Sequence, residues 1–154
     1  MKITLEMNVN DTKETLNVDM TMHSARIYRQ TFGRDMFKDM EEIYRKLHKN
    51  PFDGIDMNGV TVEGKTEQEI YDQLVSRVDL AKLIAMREKT HLDYEEMERG
   101  GQIIWAFVKN ADAKTLDFED WIDSFDYVLP VGDIVVALYD AWTKSAVPTV
   151  EIKN

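Results

Sequence analysis

The stretch "IYRQTFGRDMFKDM", residues 27–40, decides the fold, because it either joins two helices or carries a ligand loop. Ala25, Tyr28 and Phe32 stand three and four apart, the spacing of one face of a short helix, and Thr21 or Ser24 can cap its free N–H groups. Gly33 then falls where a helix commonly ends in a left-handed residue, since glycine has no Cβ to clash there. Asp35 can cap a second helix, in which Met36, Phe37, Met40, Ile43, Tyr44 and Leu47 form one apolar stripe. Lys38, Asp39, Glu41, Glu42 and Arg45 are assigned to the opposite, solvated side. The stretch therefore reads as a helical corner. The phosphate-binding alternatives fail on spacing, because neither GxGxxG nor GxxxxGK[ST] is present.

Working outward, Ile3, Leu5, Met7 and Val9 alternate with polar residues, and Leu16, Val18 and Met20 resume the pattern after Asn10-Asp11-Thr12. This is a β-hairpin over residues 1–20 with one apolar face. Two strands alone are marginal, so that face must lie on a helix or gain another strand. Residues 21–49 form the helical pair. Asn50-Pro51-Phe52-Asp53-Gly54 ends it, and residues 50–65 read as a variable loop in which Asn58-Gly59 could turn a second small hairpin.

Thr66-Glu67-Gln68-Glu69 fits a capping box. Ile70, Tyr71, Leu74, Val75, Val78, Leu80, Leu83 and Ile84 continue from it as one long helix or two abutting ones. Tyr94, Met97, Ile104, Trp105 and Val108 define the next helix, with Gly101 on the same stripe. Each glycine of the Gly100-Gly101 pair costs about 1 kcal/mol against alanine in a helix, so a kink, a close helix crossing or a ligand on the bare backbone is needed to explain it. In "TLDFEDWIDSFD", Phe118, Trp121, Ile122 and Phe125 make one apolar face, while Asp117, Glu119 and Asp120 place negative charge at the positive end of the helix dipole. Pro130 starts a final helix with the stripe Ile134, Val135, Leu138, Ala141 and Trp142. Residues 146–154 read as a loose tail or an edge strand. The expected class is mainly α-helical α+β: an N-terminal hairpin followed by about six helices, packed as a single domain over residues 1–154, with residues 66–145 as the second helical part.

Composition narrows the function. At 154 residues and 44% hydrophobic content the chain can bury a core, and no apolar run is long enough for a membrane span or a signal peptide, so a soluble, intracellular protein is expected. The absence of cysteine excludes disulfides, thiolate metal sites and a cysteine nucleophile. A net charge of −10 opposes nucleic-acid binding. Charge is nevertheless segregated: seven basic residues against four acids between residues 26 and 49 give a net of +3. Such polarity suits protein contacts, including self-association of unlike faces. His23, His48 and His91 are scattered without metal-ligand spacing, and no calcium loop is found. The carboxylates of residues 117–126 share helical faces but lie opposite Trp121 and Phe125, so they read as a wet surface and not as an acid–base pair. No GxSxG or SxxK signature appears. Catalytic residues, metals and cofactors are thus expected to be none.

Ala25-Arg26 with residues 28–40, then "IIWAFVKNAD" (residues 103–112) and "DFEDWIDSFD" (residues 117–126), together with the opening "MKITLEMNV", resemble the tail assembly chaperones of long-tailed phages and prophages of Gram-positive bacteria. The resemblance spans roughly residues 1–145, and residues 50–65 depart from it. It implies a non-catalytic protein of the host bacterial cytoplasm that coats the tape measure protein, keeping that long helical chain soluble and extended until tail tube subunits displace the coat. The tape measure protein, further copies of this chain and the tail tube protein are the implied partners. Nine methionines would supply adaptable apolar surface for such a client if exposed, whereas Met36, Met40, Met86 and Met97 would otherwise fill the core. For self-association, Arg26, Arg29 and Arg34 of one copy are expected to meet Asp117, Asp120 and Asp123 of the next, in a head-to-tail contact that need not close. The competing reading is a structural head-tail connector or tail completion protein of the virion.

Overall fold

The hairpin forms where its alternation places it. β1 (Lys2–Val9) pairs antiparallel with β2 (Thr12–Asp19), setting Ile3 against Val18 and Leu5 against Leu16. Asn10 and Asp11 turn the chain with φ of 50° and 61°, the left-handed pair that a two-residue hairpin turn requires and that short polar side chains tolerate. The outer face is polar, with Thr4 Oγ1 bonded to Asn17 Oδ1 at 2.8 Å and Lys13 paired to Glu6 at 3.1 Å. Met7, Leu16 and Val18 on the inner face are buried.

The computed structural model describes residues 1–48, 58–77 and 91–145. Six helices follow the hairpin among them: α1 (Met22–Phe32), α2 (Met36–Leu47), α3 (Glu67–Val75), α4 (Tyr94–Ala111), α5 (Phe118–Asp123) and α6 (Val131–Ser145). This is the mainly α-helical α+β class with an N-terminal hairpin. The chain divides into two compact units, residues 1–44 with 92–154, and residues 45–91.

In the first unit α4 is the centre. Ile103, Ile104, Trp105, Ala106 and Phe107 are all buried, and the hairpin, α1, α5 and α6 pack on them. The hairpin thus covers its apolar face with a helix. Asn110 fixes that arrangement, because its amide lies 2.7 Å from the Asp19 carbonyl, 2.9 Å from Thr21 Oγ1 and 3.0 Å from Ser24 Oγ. Both residues considered as the α1 cap are used: Thr21 Oγ1 accepts from the His23 N–H, and Ser24 Oγ accepts from the Thr21 N–H.

The glycine pair is explained by crossing. A Cβ on Gly100 would overlap Val131 Cγ1 and lie 3.6 Å from Ile43 Cδ1, so the bare backbone admits α6 and α2. Two aromatic pairs continue the α2–α6 contact, Phe37 on Trp142 at 4.9 Å and Tyr44 stacked on Tyr139 at 4.2 Å.

In the second unit Thr66 caps α3, accepting from the Glu69 N–H at 3.2 Å. The apolar series from Ile70 is helical only to Val75 within the described residues, and the stretch expected to continue it, Val78 to Ile84, lies outside them. Residues 58–65 carry turns at Gly59 and Gly64 and no strand, and the other arm considered for a second hairpin, Ile55 and Met57, lies outside the described residues. Gln73 holds this segment, its amide exchanging two 2.9 Å bonds with the backbone of Thr61. The expected tail at residues 146–154 and the beginning of the variable loop also lie outside the described residues.

Candidate functional site: a corner lock and an acid-edged groove

The corner is built as its spacing requires. Gly33 ends α1 at φ 70° with its N–H donated to the Arg29 carbonyl, and Asp35 Oδ1 accepts from the N–H groups of Phe37 and Lys38 at the start of α2. One expectation is overturned here. Asp39, assigned to the solvated side of α2, is 3% exposed. It stands three residues after Met36 and four before Ile43, inside the apolar stripe, and its burial is made tolerable by partners. Arg34 donates to it twice, Nε to Oδ2 at 2.7 Å and Nη2 to Oδ1 at 2.9 Å, and the buried Tyr28 hydroxyl donates to Oδ2 at 2.7 Å.

Burial pushes the Asp39 carboxyl up, but the bonds from Arg34 and Tyr28 and the charge of Arg34 outweigh it and hold the group below the usual carboxylate range. Burial, then the bond to Asp39, pushes the Tyr28 phenol well above its ordinary value. The Arg34 guanidinium is raised by the same carboxylate. Every described buried side-chain polar atom has a partner, so this cluster closes the corner and leaves no group free for a ligand.

A different surface is open. α5 is held beside α4 by the Trp105 indole N–H, which donates to the Leu116 carbonyl at 2.8 Å, and by Lys109 Nζ on the carbonyls of Ala113 and Thr115. Aromatic rings support it from below: Phe118 meets Phe32 edge-on at 5.7 Å, and Trp121 meets Phe125 at 4.9 Å. Between the first turns of α4, α5 and the segment 125–131 runs a groove of about 460 Å³. Gly101 forms its floor, where a Cβ would sit at ordinary contact distance from Phe118 and Ile122.

The groove shows why the α4 stripe is only half core. Tyr94 is 82% exposed and Met97 is 40% exposed, and with Val128, 80% exposed, they stand at its walls. Met36 and Met40 do fill the core, and Met86 lies outside the described residues. Among the described residues, Glu98 on one side and Glu119 and Asp123 on the other are the only charged residues lining the groove, and none pairs with a described cation. Burial, then the charges of Glu14 and Asp126, raises the phenol of Tyr127 at the groove edge.

The residues expected at a self-association face are distributed unevenly. Arg26 and Arg29 are exposed on α1 without an ion pair among the described residues, whereas Arg34 is committed to Asp39. Asp117, Asp120 and Asp123 are exposed, and only Asp123 lines the groove. Within one chain no described ion pair joins the two sets. The histidines His23, His48 and His91 are all exposed, and among the described residues no group of His, Asp and Glu gathers closely enough for a metal ion. No described helix is long and apolar enough to cross a membrane. Comparison with protein-family models, with curated proteins and with solved structures gives no match.

Proposed function

We propose that this chain is a tail assembly chaperone: a holding protein that binds the tape measure protein of a long-tailed phage in the host cytoplasm and keeps it soluble and extended without performing a reaction. The observation that carries the reading is the groove around Gly101, walled by Tyr94, Met97 and Val128, which stay exposed beside a buried core. A holdase must accept many segments of one long helical client. An open apolar trough with a methionine wall suits that task, because a thioether adapts to different side chains at little strain. The resemblance carried by residues 28–40, 103–112 and 117–126 points to the same role.

Self-association belongs to the proposal. Arg26 and Arg29 of one copy are exposed with no ion pair among the described residues, as are Asp117 and Asp120, so unlike faces of neighbouring copies can meet along a client. Coexpression with the tape measure protein is the direct test. The long protein stays soluble with this chain and aggregates without it; equal solubility in both cases overturns the reading. Analysis of purified particles separates it from a virion component, since a chaperone is lost on maturation and a connector is retained in fixed stoichiometry.

A further inference from the structure

We infer that the groove selects cationic amphipathic helices, taking an apolar stripe onto its Gly101 floor and lysine or arginine side chains onto both rims. The inference rests on the reading of this groove as a polypeptide-binding site and adds the chemistry of the occupant. Three observations carry it. The floor and walls are apolar, and the exposed Tyr94, Met97 and Val128 are the side chains a partner helix would cover. All the charge that the described residues bring to the groove lining has one sign, with Glu98 on α4 and Glu119 and Asp123 one turn apart on α5. Among the described residues these carboxylates are also uncompensated, although Arg99 is close enough on the same helix to pair with Glu95 and Glu42.

A cation on the occupant therefore meets a free carboxylate on either wall, while an acidic flank meets like charge. A second copy of this chain supplies a poorer occupant. On the outer face of α1, Arg26 and Arg29 lie in line with Met22, which is the stripe's one exposed apolar side chain and too little to fill the trough.

The test uses the full chain and two labelled synthetic peptides with the same leucine stripe, one flanked by lysines and the other by glutamates, read by fluorescence anisotropy. The lysine peptide is expected to bind about tenfold or more tightly, the combined effect of three exposed charge pairs, with the advantage shrinking as salt is raised. In the E98Q/E119Q/D123N chain, whose substitutions are all at exposed positions, the two peptides converge. Val128→Glu, also exposed, weakens both. Equal binding of the two peptides to the unaltered chain, abolished by Val128→Glu, overturns the charge selection while leaving a polypeptide groove. Failure of both peptides to bind overturns the groove reading as well. Self-association lost equally on R26E/R29E and on E98Q/E119Q/D123N assigns the groove to a second copy and overturns the inference.

Discussion

The corner at Gly33 and the groove at Gly101 use the same materials, a glycine, aromatic rings and carboxylates, to opposite ends. At the corner the carboxylate is buried and receives three hydrogen bonds, so its charge is spent inside the molecule. At the groove three exposed carboxylates have no cation beside them among the described residues, and the described residues leave the apolar side chains between them uncovered. Burial with full partnership marks a structural device. Exposure with no internal partner marks a surface that something else can complete.

The sharpest way to break the contrast is Arg34→Ala. It leaves Asp39 buried with only Tyr28 and a more distant Arg99, and should cost about 3 kcal/mol in denaturant unfolding, the range for stripping one partner from a buried charge. Acid should act on the same group. The folded-state pKa of Asp39 is depressed, so its stabilising contribution is complete above the unfolded value near 4 and disappears as pH falls through the lower folded one. Tyr28 is shifted the other way, so its contribution is complete below about pH 10 and disappears on further alkalinisation. Thermal melts across pH check both limbs, and the acid limb should flatten in Asp39→Asn.

The neighbouring glycines give a smaller effect with a change of sign. Gly100→Ala drives a methyl into Val131 and should lose about 1 to 2 kcal/mol despite the better helix propensity of alanine. Gly101→Ala finds room, and should gain about 0.5 to 1 kcal/mol. The smallest effect belongs to the rims, where E98Q/E119Q/D123N should leave stability within about 0.5 kcal/mol per site, because these exposed carboxylates pair with no described cation and only Glu119, in the first turn of α5, gains from a helix dipole. A large loss there would mean that the rim is structural after all.

Gly33 and Asp35 were readable as caps because a left-handed helix end and a free N–H at a helix start each admit few residue types. The hairpin was readable because Asn10-Asp11 sits between two alternating runs. Asp39 was not, although its position within the stripe was visible. A carboxylate three residues from one core methionine and four from a core isoleucine signals either a break in the pattern or a buried pair, and only the folded corner brings Arg34 and Tyr28 onto it. Tyr94 and Met97 fail in the opposite sense. Periodicity says which side chains share a face but not whether another element covers that face, and the exposed first turns of α4 are such a case. The groove itself depends on how Trp105 and Lys109 hold the chain after α4, a contact between side chain and carbonyl that leaves no mark in residue spacing.

The amide of Asn110 bonds to the carbonyl of Asp19 across a separation of 91 residues, and everything between must be made before that bond can form. At ribosomal rates of about 5 to 20 residues per second, the newborn hairpin waits roughly 5 to 18 s with its apolar face uncovered. For that interval a protein proposed to shelter an unfinished chain is itself an unfinished chain in need of shelter.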